Sequence, residues 1–149
     1  MKAPLEFLLA GYTIEKSTEV HLRDPKTGYV LVRSGDCDGA LKHLRLFPSA
    51  EEMSRSTDAA WVSDLKFEAK PLPLETGRGI SIGDRPEKIF REMGKPTWRG
   101  GSTYMPGDEV WSYHHRVGTP KQGVEYKALF RFRRGRVVAM ELHSENYPS

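Results

Sequence analysis

Glu125-Tyr126-Lys127-Ala128-Leu129-Phe130-Arg131-Phe132-Arg133-Arg134-Gly135-Arg136-Val137-Val138-Ala139-Met140-Glu141-Leu142 is the stretch that decides the fold. Tyr126, Ala128, Phe130 and Phe132 alternate with Lys127, Leu129, Arg131 and Arg133, the period-2 pattern of a strand with one buried face. The alternation breaks at Arg134-Gly135, which makes a tight hairpin. Residues 125–133 and 137–142 are therefore two antiparallel strands. Residues 110–116 alternate in the same way just upstream, so three strands form one meander.

Working outward, Gly83-Asp84-Arg85-Pro86-Glu87 opens a helix. Asp84 is the expected N-cap, Glu87 falls at N3, and Pro86 is tolerated in the first turn. Ile89, Phe90 and Met93 share one face, Gly94 ends the helix and Pro96 prevents its resumption. The segment 97–109 is rich in glycine and polar residues and reads as an irregular loop. The predicted core is Ile89, Phe90, Phe130, Phe132, Val138 and Met140, between helix and sheet.

The first half repeats the theme. Residues 20–23, 29–33 and 40–47 read as strands, separated by the turns Asp24-Pro25-Lys26-Thr27-Gly28 and Asp36-Cys37-Asp38-Gly39. Ser49 and Glu52 form a capping box before a short helix reaching about residue 60. Residues 61–67 alternate as a further strand, and Pro71-Leu72-Pro73-Leu74 is an extended connector. The expectation is an α+β protein with short helices packed on an antiparallel meander sheet. It forms one compact domain over 1–149, with sub-lobes at 1–70 and 76–149. The two meanders invite a reading as related halves, although a duplication needs matching periodicity as well as matching elements.

Composition fits such a domain. Hydrophobic residues make up 38% of the 149-residue chain, enough to exclude global disorder. No apolar run approaches the roughly 20 residues needed to span a bilayer. The start, Met1-Lys2-Ala3-Pro4-Leu5-Glu6-Phe7-Leu8-Leu9-Ala10, is interrupted by Pro4 and Glu6 and reads as a packed strand or short helix rather than a signal peptide. A leader removed earlier would leave no trace, so the sequence leaves cytoplasm, periplasm and secretion open. Cys37 is the single cysteine, which rules out an intramolecular disulfide and a multi-cysteine zinc site. Residues 1–75 carry net charge −2 and residues 76–149 net +5, with seven basic residues and only Glu125 as an acid across 110–136. The basicity is thus local.

Thr76-Gly77-Arg78-Gly79-Ile80-Ser81-Ile82-Gly83-Asp84, Met93-Gly94-Lys95-Pro96, Trp111-Ser112-Tyr113 and Gly135-Arg136-Val137-Val138 follow one another in an order that resembles a known pattern. Residues 76–143 resemble small envelope proteins: the outer-membrane assembly lipoproteins of the SmpA/OmlA type and proteins sharing the β-lactamase-inhibitor-protein fold. The chain lacks the lipoproteins' N-terminal lipobox cysteine. The resemblance implies a non-enzymatic, protein-binding or inhibitor-like role, and its matched residues are turn glycines, a helix end and core aromatics.

No motif carries catalysis. Gly77-x-Gly79-x-x-x-Gly83 fails the dinucleotide fingerprint and lacks the lysine of a P-loop. Asp36-x-Asp38-Gly39 fails as a calcium loop because Arg45 takes the position of the bidentate Glu. His114 and His115 point to opposite faces of a strand, and His21, His43 and His143 are scattered, so no metal and no cofactor are expected. Asp108-Glu109 reads as a solvated turn. Arg131 and Arg133, with Lys127, form an outward basic face; its plainer role is a solvated face with charge protecting an edge. Nucleic-acid binding is disfavoured because the aromatics sit on the opposite face. The binding residues expected are Trp98, Tyr104, Met105, Arg131 and Arg133, facing a protein partner. An unrecognised enzyme or a binder of nucleic acid or anionic surfaces through residues 127–136 are the alternatives.

Overall fold

The structure, a computed structural model, describes residues 20–35, 41–55, 67–72, 79–103 and 105–147. The expectations for residues 1–10, the 36–39 turn, helix beyond Arg55 and a strand over 61–66 fall outside them. In chain order the elements are β1 (Val20–Arg23), β2 (Val30–Gly35), β3 (Leu41–Phe47), α1 (Ala50–Arg55), β4 (Glu68–Ala69), α2 (Pro86–Met93), β5 (Trp98–Gly101), β6 (Glu109–Gly118), β7 (Gly123–Arg133) and β8 (Arg136–Tyr147). Among the described residues strand far outweighs helix, so the α+β protein is mainly β.

The described strands form one sheet in the order β4-β1-β2-β3-β8-β7-β6-β5. The predicted meander β6-β7-β8 is present, closed by Arg134 and Gly135 at φ 52° and 72°, the backbone of a type I′ hairpin turn. The first meander, β1-β2-β3, joins it through antiparallel pairing of β3 with β8. The sheet is mixed because β4 pairs β1 in parallel. Asp24 organises the β1–β2 turn by accepting from the Lys26 and Thr27 N–H groups, and it reaches across the chain to the Leu72 N–H at 2.9 Å.

Helices lie on both faces of the sheet rather than in a single layer. On the α2 face, Ile89 and Met93 pack with Leu31, Leu44, Trp111, Tyr113, Phe130 and Phe132 in one cluster that takes residues from both meanders. The Tyr113 hydroxyl donates to the Gly94 carbonyl at 2.8 Å and ties the helix end to the sheet. On the α1 face a smaller cluster holds Val30, Val32, Phe47, Met53 and Ala139.

Four expectations need correction. Asp84 does not cap α2. Arg85 occupies the N-cap position without a side-chain bond, while the Asp84 carboxylate accepts from the Ser81 N–H at 2.7 Å and pairs with Lys88. Phe90 is 54% exposed, because a helix this short meets the sheet along the narrow stripe of Ile89 and Met93. Val138 is not in the α2-face core. The β7–β8 register shifts so that Arg131 pairs Ala139 while Phe132 pairs Val137. This bulge leaves Val138 as the extra residue and turns both Val137 and Met140 toward α2. The 97–109 loop contains a strand: β5 pairs with β6 from Trp98↔Ser112 to Gly101↔Glu109.

Phe132, buried in the α2-face core, sets the first test. Phe132→Ala is expected to lower unfolding free energy by about 3–5 kcal/mol. Phe90→Ala should change it by no more than about 0.5 kcal/mol. Urea denaturation midpoints of the two variants compare the faces directly.

Candidate functional site

Strand register places three rows of side chains across the α1 face. One row runs Ala139–Arg131–Val110–Gly100, the next Arg45–Glu141–Leu129–Ser112–Trp98, and the third His43–His143–Lys127–His114. Each step is a cross-strand neighbour, so residues far apart in sequence become adjacent.

The corner of the first row lies under α1 and the turn before β6, and it is a buried charge network. Ser49 caps α1, accepting from the Glu52 N–H at 3.1 Å. The Glu52 side chain faces the sheet. It accepts from Arg131 at 2.6 Å and from Arg133 at 2.8 and 3.0 Å. Asp108 accepts two bonds from Arg133 at 2.9 Å and lies 3.4 Å from Arg131 Nε. Burial pushes the Glu52 carboxyl up, but the hydrogen bond from Arg133 and the charges of Arg133 and Arg131 more than reverse this and hold it below its ordinary value. Arg133 is raised by its bonds to Glu52 and Asp108. Alternation placed Arg131 and Arg133 on the expected side of β7, but they are not an open basic face: Arg131 is only 4% exposed, and both cations are paired. Asp108 likewise is buried rather than solvated.

Beyond this corner the face opens into a pocket of about 220 Å³, walled by Phe47, Val110, Leu129, Ala139 and Trp98, with Arg45 and Glu141 at one side. Trp98 is 51% exposed and leans over Gly100; a Cβ on Gly100 would lie 2.6 Å from the indole Cζ2. The absence of a side chain there is what lets the indole lie along the strand. A second hollow of about 240 Å³ shares Leu129 and Glu141 with the first and is lined by His43, Ser112, Lys127 and His143.

His43 and His143, scattered in sequence, are cross-strand partners with ring centroids 5.4 Å apart. His43 Nε2 meets Glu141 Oε1 at 2.5 Å. Burial raises the Glu141 carboxyl, but the His43 hydrogen bond and the His43 and Arg45 charges leave it below its ordinary value. His143 is lowered by burial and by the charge of His43. Ser112 Oγ lies 2.9 Å from His114 Nε2. Glu125 stands 3.8 Å from the other ring nitrogen, outside hydrogen-bond reach, and is held by Arg116 at 3.1 Å, so it does not orient the imidazole. Among the described residues no three His, Cys, Asp or Glu side chains are placed to hold a metal ion, and no helix is long and apolar enough to cross a membrane.

Of the binding residues expected from sequence, Trp98 and Arg131 line the pocket. Met105 is half-buried in the turn before β6, its N–H donating to Ser102 Oγ at 3.2 Å, and Tyr104 lies outside the described residues. Sequence reasoning missed Glu52, Arg45 and the His43–Glu141–His143 group, because their adjacency depends on β3 pairing with β8. The residues behind the family resemblance serve structure: Gly83 and Gly94 have φ of 94° and 81°, and Trp111 and Tyr113 are buried in the core.

No protein-family model and no curated protein matches the sequence. Among solved structures, the chain is similar to a DUF4309 family protein (YjgB) from Bacillus subtilis subsp. subtilis str. 168, with a TM-score of 0.42 and 8% identity. The match covers 85% of this chain and 64% of that one. Likeness at this level carries no argument about function.

Two outcomes follow from the electrostatics. Glu52→Gln removes the shared anion and leaves Arg131 buried with too little countercharge, so stability should fall by about 3 kcal/mol in chemical denaturation. Acidification should destabilise the fold in two steps. The first begins as pH falls through 6.5, the ordinary value from which His143 is lowered, because the unfolded chain takes up that proton first. The second begins as pH falls through 4.5, the ordinary value from which Glu52 and Glu141 are lowered, because the unfolded chain takes up those protons while the folded one still holds both carboxylates ionised. His143→Gln should flatten the first step in a plot of melting temperature against pH and leave the second.

Proposed function

We propose that this chain is a non-enzymatic binding module that engages a protein partner through the β5 edge and the α1 face beside it. The observation that carries this reading is Trp98: a large aromatic, half exposed, on a strand paired on one side only among the described strands, beside an apolar pocket. Tryptophan is among the residues that dominate interface energetics; Arg99, next on the strand, faces the other side, bonded to Glu109 and lying over the Trp111 ring. An edge strand offers unpaired backbone groups to an extended partner segment, while pockets beside it select side chains. The resemblance of residues 76–143 to envelope assembly lipoproteins and inhibitor-like proteins points the same way. Catalysis is the weaker reading, since the Ser112–His114 contact lacks an orienting carboxylate.

Selection from a displayed random-peptide library tests this. The wild-type chain should enrich a consensus of extended peptides. Trp98→Ala should lose those peptides, and Gly100→Ala should lose them too, because its Cβ displaces the indole. Both variants should keep melting temperatures close to wild type, since neither position is in the core. Lack of enrichment, or a consensus indifferent to Trp98, would remove the edge as the binding surface.

A further inference from the structure

We infer that the pocket on the α1 face is a site for a free small carboxylate with an apolar body the size of one ring or a short alkyl chain, its anion set against Arg45. The inference rests on the α1 face being the binding face, but it assigns a different occupant from the partner at the β5 edge. Three observations carry it.

The first is chemistry at one side of the pocket. Arg45 Nε is buried and has no hydrogen-bond partner among the described residues, as is also true of Arg131 Nε and Arg33 Nε. Arg131, which lines the pocket too, has both Glu52 and Asp108 against it, whereas Arg45 has only Glu141 opposite it in the strand pair. The nearest acid in the row, Glu141, has one oxygen engaged by His43 at 2.5 Å. Arg45 as a whole is only half-buried and lines the pocket, so a carboxylate there meets its guanidinium group, the cation that recognises carboxylates best.

The second is shape. Phe47, Leu129, Val110 and Ala139 with the Trp98 indole make an apolar wall around about 220 Å³. Cavities of about 150 Å³ already accept a benzene ring, so a ring with a short chain fits.

The third is distance. Arg45 and Trp98 terminate one row across five strands, which sets their backbones about 19 Å apart at about 4.8 Å per strand. The side chain of a segment added at the β5 edge does not reach Arg45 across that span. The occupant is therefore a separate molecule lying across the strands, with its acid end at β3 and its apolar end toward β5.

Titration of the ¹⁵N-labelled chain with 4-phenylbutyrate and, separately, with its neutral primary amide tests the assignment. The carboxylate should give saturable shifts at the Leu129, Glu141 and Trp98 signals, with the amide at least tenfold weaker. Arg45→Gln should bring carboxylate affinity down to that of the amide. Equal binding of acid and amide to the wild-type chain would overturn the inference without any variant, as would absence of saturation by the acid or an Arg45→Gln variant that still prefers it. Peptide selection at Trp98 that persists beside a failed carboxylate titration would remove this inference and leave the edge-binding reading standing; loss of both would remove the face itself.

Discussion

Four cross-strand pairs, from His43↔His143 to Leu46↔Met140, join the last strand of the first meander to the last strand of the second. Without them the sheet would part into two four-stranded halves, β4-β1-β2-β3 and β8-β7-β6-β5, each with a new unpaired edge. With them, Leu31, Leu44 and Leu46 enter the same cluster as Phe130, Phe132 and Leu142, under α2. The same pairs bring Arg45 beside Glu141 and His43 beside His143. The core on one face and the candidate site on the other are therefore products of a single strand pairing.

The two faces differ because of what each must satisfy. The α2 face is mostly apolar, and Tyr113 within it is pushed by burial up to about 12 while its hydroxyl donates to Gly94. The α1 face carries charge, and the protein handles it by sharing: two arginines and two carboxylates, all partly or wholly buried, hold one another near the end of β7. A network of this kind adds little net stability over an apolar core, yet losing one member is costly. It fixes α1 and the turn before β6 to the sheet, and so defines the border of the open pocket beside it.

The bulge at Val138 has a consequence beyond one residue. An unbroken period of two would place Val138 and Met140 on one face and Val137 and Ala139 on the other. The extra residue puts Val137 with Met140 in the main core and sends Ala139, Glu141 and His143 to the α1 face in register with β3 and β7. The pocket's floor depends on that phase.

The sequence by itself determined the second meander, the Arg134-Gly135 hairpin, the first three strands, the helix ending at Gly94 and the facing of Phe130 and Phe132, because each rests on local periodicity or on a turn residue's backbone preference. It marked Trp98 through an aromatic in a glycine-rich segment, although it read that segment as a loop; pairing with β6 supplies what the local sequence lacks. Only the tertiary structure decided that Arg131 and Arg133 are paired rather than free, since Glu52 lies about eighty residues away and no local pattern points to it. Only it brought His43 to His143 and Arg45 to the rim of the pocket. Period and turn chemistry act over a few residues and are legible in the chain, whereas the partner of a buried charge is chosen by which strand lies alongside, and that is settled when the two meanders meet.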